Sequence, residues 1–367
     1  MTEREAEIFR IIQQHPSISQ NELAAQLNLA RSSVAVHIAN LQKKGYILGK
    51  GYIINDDSYV LGVGAANVDI HGRSKKPFVM HDSNPGRISA SAGGVTRNVC
   101  ENLARLGADV RLITAVGDDL YADMIRRECV AAGIDVSHFC AAPGCASSTY
   151  LSILDSGGDM LVALSDMTVL QEHLTPEYLD GRAELLQHAA IVTCDPCLPE
   201  RTLLHLLDLC AGHTPVYVDP VSTAYAQVLA PHIGRFHTAK PNVLELSILA
   251  GREITDEASL EDAGRALLDR GLSRLLVSLG KDGCLYMDRS GRTLRRKLRP
   301  VAQMVNATGA GDAFMAAVIF STLHGFDPEK TLHYALCAGI AAISHEKTIH
   351  PGMSVSLIEN IWKEYHL

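Results

Sequence analysis

Residues 306–314 read Asn-Ala-Thr-Gly-Ala-Gly-Asp-Ala-Phe, a run of small residues that opens the apolar helical stretch AFMAAVIFSTLHG. A helix start offers unpaired N–H groups and the positive end of the helix dipole, so it suits an anion. Gly309, Ala310 and Gly311 permit a tight turn whose N–H groups converge on one point, the arrangement that stabilises charge on a phosphoryl group in transit. Asp312 stands one residue further on. There a carboxylate could take the proton of an attacking hydroxyl, or it could merely complement the dipole.

Other stretches carry compatible chemistry. Gly93 and Gly94 let a ligand approach the backbone, and Asn98 on the following helix both donates and accepts toward a hydroxyl. Asn67 and Asp69 close the strand pattern GAANVDIHG with two polar side chains, and an ionised Asp accepts two hydroxyls of a diol. Asn242 and Glu245 open the helix of KPNVLELSIL one turn apart, so they share a face. Through water they could hold Mg²⁺ against phosphates, because Mg²⁺ keeps most of its hydration. Ser278, Gly280 and Gly283 in VSLGKDGCLY bring a strand end and a glycine turn to nucleotide phosphates or ribose. Lys240 faces the phosphates or is a solvated strand end. Cys194 and Cys197 form a single CxxC, which reads as two thiols at a strand end.

These residues need a frame. After residue 58 apolar, unalternating strand patterns (YVLGVGAA, VRLITAV, AAIVTC, TPVYVD, SRLLVSLG) alternate with helix patterns such as VTRNVCENLARLG and LEDAGRALLDRG. That rhythm predicts a doubly wound parallel sheet covered on both faces. GRISASAGG and STYLSILDSGGDMLVALSD break it and read as antiparallel strands, a small β lid built from about 70–92 and 147–166. The basic run LRRKLRP (294–300) reads as a solvated edge strand.

Residues 1–55 are a separate unit, joined by a linker at 56–58 to a domain spanning 59–367. Its pattern is three short helices and a hairpin, YILGKGYIIN, with Ser19 and Glu22 forming a capping box at the second helix. This is a winged helix-turn-helix pattern. Its third helix shows Arg31, Ser32, Ser33 and His37 on the polar side, suited to phosphate and base-edge contacts in DNA. A protein-interaction or dimerisation module is the other reading.

The 367 residues carry a net charge of −8, which gives no general pull toward nucleic acid or membrane. Residues 1–55 hold six Lys and Arg against four Asp and Glu, and the remainder 27 against 37, so a nucleic-acid function belongs to the first unit. The charged start MTEREAEIFR is unlike a signal peptide, no stretch reads as a membrane span, and nine scattered cysteines suit reduced thiols in the cytoplasm.

In order and spacing, the segments GGVTRNVCENLARLG, the NxxE of Asn242–Glu245, the LGxxG of Leu279–Gly283 and NATGAGDAF resemble the PfkB (ribokinase-like) family of ATP-dependent sugar and nucleoside kinases, over about 59–363. The resemblance implies Asp312 as catalytic base and Gly309, Ala310 and Gly311 as anion hole. It also implies Asp69, Gly93, Gly94 and Asn98 on the substrate, and Glu245 organising Mg²⁺ waters. The family usually reads Asp-Thr-Thr-Gly where this chain has Asn306-Ala307-Thr308-Gly309, beside a monovalent-cation site, so K⁺ activation is an open expectation. Within the family, DSNPGRI, the lid hairpin and VYVDPVS (217–223) are similar to bacterial pseudouridine kinases. That likeness implies a 5′-phosphorylated nucleoside product, with Ser83, Asn84, Thr149 and Asp166 reading the base. SNPG also fits a plain turn and Asp166 a hairpin-end cap. The alternatives are a kinase for another nucleoside or a ribose-type sugar, and a transcription regulator using a kinase-like domain as ligand sensor. The lid and the helix-turn-helix both lead to the expectation of a homodimer.

Overall fold

The computed structural model describes residues 1–14, 18–47, 58–157, 159–298, 305–306 and 308–365. Two compact units emerge, Met1–Ser58 and Tyr59–Leu367.

In the first unit, helices Glu3–Gln14, Gln20–Leu27 and Arg31–Lys43 enclose a small core of Ile8, Ile12, Leu23, Val34, Ile38 and Leu41. The expected capping box forms at Ser19 and Glu22. The Lys44 ammonium lies 2.7 Å from Glu5 and ties the end of the third helix to the first. Most of the expected hairpin over 46–55 lies outside the described residues.

The second unit is built on a nine-stranded sheet. From one edge its order is Thr293–Arg296, Cys284–Asp288, Arg274–Ser278, Thr238–Ala239, Val216–Val218, Ile191–Cys194, Val60–Val63, Val110–Ile113 and Ile134–Asp135. The last seven run parallel, and the first two add antiparallel at the edge, Thr293–Arg296 outermost. All four residues of Val60–Val63 are buried, as a parallel strand covered on both faces requires. Val60 enters one apolar cluster, with Leu112 and Met315, and Leu61 enters the other, with Val192 and Leu203. Successive side chains thus feed opposite layers. A side chain at Gly62 would collide with Cys100, so its absence lets helix Val95–Arg105 settle close on the sheet.

A separate four-stranded sheet forms the lid, in the order Gly86–Gly93, Asn67–Ser74, Thr149–Leu154, Met160–Asp166. The hairpin of the last two is antiparallel, as its sequence predicts, while Asn67–Ser74 pairs parallel to Thr149–Leu154. Asn67 and Asp69 do not close the core strand. They open a lid strand of their own, separated by three residues from the core strand's end at Val63. All nine cysteines are free thiols, Cys194 and Cys197 both buried. Among the described residues no helix is long and apolar enough to cross a membrane.

Candidate active site

Gly309 takes a left-handed conformation, φ +84°, and caps helix Ala310–Leu323. A side chain there would also collide with the Thr348 carbonyl, so glycine is required on two counts. The N–H groups of Ala310, Gly311 and Asp312 fall in the first helical turn, where geometry leaves them without intrahelical partners. The helix is buried without a break from Asp312 to Ser321, so its N-terminus is a fixed point. In front of it, Asn306 Oδ1 accepts from Thr308 N at 2.9 Å and Asn306 Nδ2 donates to the Glu346 carbonyl at 3.0 Å. Asn306 therefore holds the turn. Ala307 lies outside the described residues.

Asp312 is buried, and Asn98 Nδ2 donates to its Oδ2 at 2.8 Å. Burial, then the Asp219 charge, push this carboxyl up to about 7, against the opposing pull of the Asn98 hydrogen bond and Lys240. Such a group exchanges a proton near neutrality, as a general base should. Sequence reasoning aimed Asn98 at a substrate hydroxyl; the structure also gives it the Asp312 carboxyl, 214 positions away.

Lys240 is not a solvated strand end. It is buried, its ammonium 2.9 Å from Asp219 Oδ2. A Cβ on Gly311 would lie 2.8 Å from Lys240 Nζ, so the charge stands beside the Gly309–Gly311 turn. Burial opposes that charge, but Asp219, Asp312 and Glu245 carry the net effect above the ordinary lysine value. Asp219 follows strand Val216–Val218, in the segment VYVDPVS that its resemblance assigns to the substrate base; the structure turns it to Lys240. Its other oxygen accepts from Val221 N at 3.0 Å, and Val221 sits at φ +66°, a strained conformation for a β-branched residue. Asp195 is also absent from the sequence reading. Fully buried, it accepts from Ala65 N, Thr96 N, Thr96 Oγ1 and Cys197 N. It pins the start of helix Val95–Arg105, and with it Asn98, to the mouth of the sheet. A lone Asp after a strand carries no spacing signal, so only the strand order reveals either residue.

Asn242 and Glu245 close a capping box: Asn242 Oδ1 accepts from Glu245 N at 2.9 Å and Glu245 Oε2 from Asn242 N at 2.8 Å. The Asn242 oxygen thus holds the helix cap, with one lone pair left over for a water. Burial and the Asp219 charge raise the buried Glu245, opposed by the Asn242 N–H and Lys240. Asp219, Glu245 and Asp312 thus face one ammonium, an excess of negative charge that a divalent cation would relieve. Among the described residues no three His, Cys, Asp or Glu could hold a metal directly. The fit is to a hydrated Mg²⁺ held mainly by phosphate and water, with Glu245 as outer partner. Ser278 forms a bridge with Asn242, and Ser278 N donates to the Pro241 carbonyl at 3.0 Å. The strand end and the NxxE turn are therefore one surface. Gly280, at φ +59° with open space around it, forms the next turn, whereas a side chain at Gly283 would collide with the Arg296 carbonyl.

At the lid base Asn67 Nδ2 donates to Asp69 Oδ1 at 2.6 Å. Gly93 lies directly against the Asp69 carboxylate, and Gly94 (φ +99°) against Ala65. Burial raises the Asp69 carboxyl, opposed by Asn67, His71 and Arg97. Val68, Thr149 and Asp166 form one row across three lid strands, so Thr149 and Asp166 sit at the base with Asp69. Asp166 is exposed and accepts from Thr168 N at 3.0 Å, the hairpin-end cap. Ser83 and Asn84 belong elsewhere. They lie in the loop joining the far ends of Asn67–Ser74 and Gly86–Gly93, about seven residues or roughly 20 Å of strand from Asp69. Asn84 holds Val79 N, Val79 O and the Asp82 carbonyl, so its amide is committed to its own loop.

In the first unit Arg31, Ser32 and Ser33 are exposed at the start of the third helix. His37 is half-buried, and its Nδ1 is buried without a hydrogen-bond partner, which leaves only Nε2 for an outward contact.

The family described as pfkB family carbohydrate kinase matches residues 57–354, and the winged helix-turn-helix DNA-binding family matches residues 1–47. The Escherichia coli (strain K12) protein named Uncharacterized sugar kinase YeiI is 38% identical over 362 residues, 98% of this chain and 99% of its own length. Pseudouridine kinase of the same organism is 35% identical over 312 residues, 84% of this chain and 98% of its own. The structure of Arabidopsis thaliana ribokinase complexed with ribose and ATP superposes with a TM-score of 0.74 at 21% identity, over 84% of this chain and 99% of that one. At that identity it shows a common fold.

Proposed function

The chain belongs to the PfkB family of carbohydrate kinases, and from that premise we propose that it transfers the γ-phosphoryl group of ATP to the 5′-hydroxyl of pseudouridine. The observation that carries the reaction type is Asp312, buried and held by Asn98, at the N-terminus whose Gly311 stands beside Lys240. In the proposed reaction Asp69 and Asn67 grip the ribose diol under the lid, and Asn98 orients the acceptor end. Asp312 takes the hydroxyl proton while the oxygen bonds to the γ-phosphorus and the bond to the β-phosphate oxygen breaks, releasing ADP. The N–H groups of the Gly309–Gly311 turn and the Lys240 charge stabilise the transferring group. Mg²⁺, when bound, neutralises phosphate charge, with Glu245 as outer partner. Closure of the lid excludes water.

Pseudouridine as acceptor is supported by the 35% identical relative of that name and by the lid and VYVDPVS segments. ATP consumption with pseudouridine, uridine, inosine, cytidine and ribose tests it. Pseudouridine is expected to give the highest kcat/KM. Preference for ribose or another nucleoside would replace the acceptor, and no turnover with any would remove the kinase reading.

The first unit supports a second activity in the same chain, DNA binding through Arg31, Ser32, Ser33 and the outward edge of His37. Binding is expected to be specific, salt-sensitive and altered by nucleoside. A gel-shift titration on DNA upstream of its own gene, with and without nucleoside, is the measurement. Exposed apolar residues on the lid, Ile88, Met160, Val162 and Leu164, support a homodimer, which sedimentation would read. Potassium dependence is a further expectation that turnover in K⁺ and in Na⁺ would decide.

A further inference from the structure

Arg97 is among the largest fully buried side chains of the molecule, 2% exposed, and it lies one residue before Asn98. Its Nη1 donates to Asn98 Oδ1 at 3.2 Å and to the Ala92 carbonyl at 3.3 Å. Its Nη2 pairs with Glu101 and lies 3.8 Å from Glu128, while its Nε is buried without a partner. Burying a charge with one donor unmet costs free energy, so the contacts it does make must matter to the fold or to the site.

The chemistry of the three groups in line is restrictive. A guanidinium only donates, an ionised carboxylate only accepts, and an amide does both at opposite ends. With Arg97 on one side and Asp312 on the other, Asn98 has one workable orientation: Oδ1 toward Arg97 and Nδ2 toward Asp312. Rotating the amide by half a turn would set donor against donor and acceptor against acceptor.

We propose that Arg97 is a positioning residue for phosphoryl transfer, locking the Asn98 amide so that it donates to Asp312 and tying that alignment to the lid through the Ala92 carbonyl. Ala92 precedes Gly93 on the lid strand Gly86–Gly93 and pairs with Val68, the neighbour of Asp69. One guanidinium thus spans the lid strand paired with that of Asp69 and the base's partner. Its effect on Asp312 runs through Asn98. The other charged groups facing Asp312, namely Lys240, Asp219 and Asp195, come from different segments, and none of them pairs with the Arg97 guanidinium. Glu101 keeps its own pairs with Arg105, so removing Arg97 leaves no orphan carboxylate in the helix.

The inference rests on Asp312 as the base, and its test reads Asp312 without turnover. In full-length protein labelled at aspartate 13Cγ, the Asp312 signal is identified by its loss in Asp312→Asn and titrated. Arg97→Met should raise its midpoint by about one pH unit, because an unanchored amide no longer donates reliably to the carboxylate. In an Asn98→Ala background the same change should give no further shift. An unmoved midpoint, or an equal shift without Asn98, overturns the proposal. Arg97→Gln serves if the Met variant does not fold. Failure of every acceptor to turn over would remove the kinase reading and leave this result decided separately.

Discussion

The Lys240 ammonium and the Asp219 carboxylate stand 2.9 Å apart with side chains only 6% and 8% exposed. Lys240→Met leaves Asp219 charged and unpaired. It should lower stability by about 3–5 kcal/mol, read from urea unfolding, and abolish turnover by removing the charge beside Gly311. Adding Asp219→Leu should restore most of the stability and none of the activity. A single variant as stable as the parent would refute the pair's structural role.

Asp312→Asn keeps an acceptor for Asn98 and removes the carboxyl proposed as base. Phosphoryl transfer should fall about 10²- to 10⁴-fold while ATP and nucleoside still bind by calorimetry. Unchanged turnover would overturn the role.

The Asp312 carboxyl, held near 7 by burial and Asp219, gives a signed pH dependence. In the proposed role this carboxyl works ionised, so kcat/KM should rise with pH through neutrality. Stability runs the other way. A carboxyl raised in the folded state contributes stability that is complete below its unfolded value and lost as pH rises through about 7. The melting temperature of Asp312→Asn should therefore gain on the parent between about pH 4 and 7, the window this shift defines. A constant difference would contradict the assignment.

Gly93 lies against the Asp69 carboxylate. Gly93→Ala should displace Asp69 and raise KM for the nucleoside about tenfold or more, consistent with loss of about 1.4 kcal/mol of binding, with a smaller change in kcat. An unchanged KM would separate Asp69 from the acceptor.

Glu245→Gln preserves the capping geometry with Asn242 while removing the charge. The Mg²⁺ concentration giving half-maximal rate should rise about 10- to 100-fold, the usual cost of losing an outer-sphere partner. An equal requirement would place the cation elsewhere.

The elements read from sequence were those whose signal is local. The unalternating strands, the Ser19–Glu22 cap and the lid hairpin each announce themselves within a few residues. The Asn242–Glu245 pair carries the same capping signature as Ser19–Glu22, yet its chemistry drew attention away from the cap. Asp195 and Asp219 stayed hidden because their partners are distant in sequence, Thr96 for Asp195 and Lys240 for Asp219, and Arg97 because its neighbour Asn98 meets Asp312 from 214 positions away. The lid strand Asn67–Ser74 was masked by its nearness to Val60–Val63, since a pattern of apolar residues cannot show that the chain has left one sheet for another. Ser83 and Asn84 were placed by likeness of segment, and the register of the lid strands carries them to the other end.

Helix Ala310–Leu323 is enclosed from Asp312 to Ser321, while strand Met160–Asp166 of the lid is exposed over most of its length. These two regions differ in how much change they absorb. An exposed lid substitution usually alters stability within about 0.5 kcal/mol, whereas an extra methylene packed behind Asp312 would cost about 1–3 kcal/mol. A mutational library confined to the lid could therefore explore new acceptors at little risk to the fold, with the transfer apparatus carried along as an inherited constant.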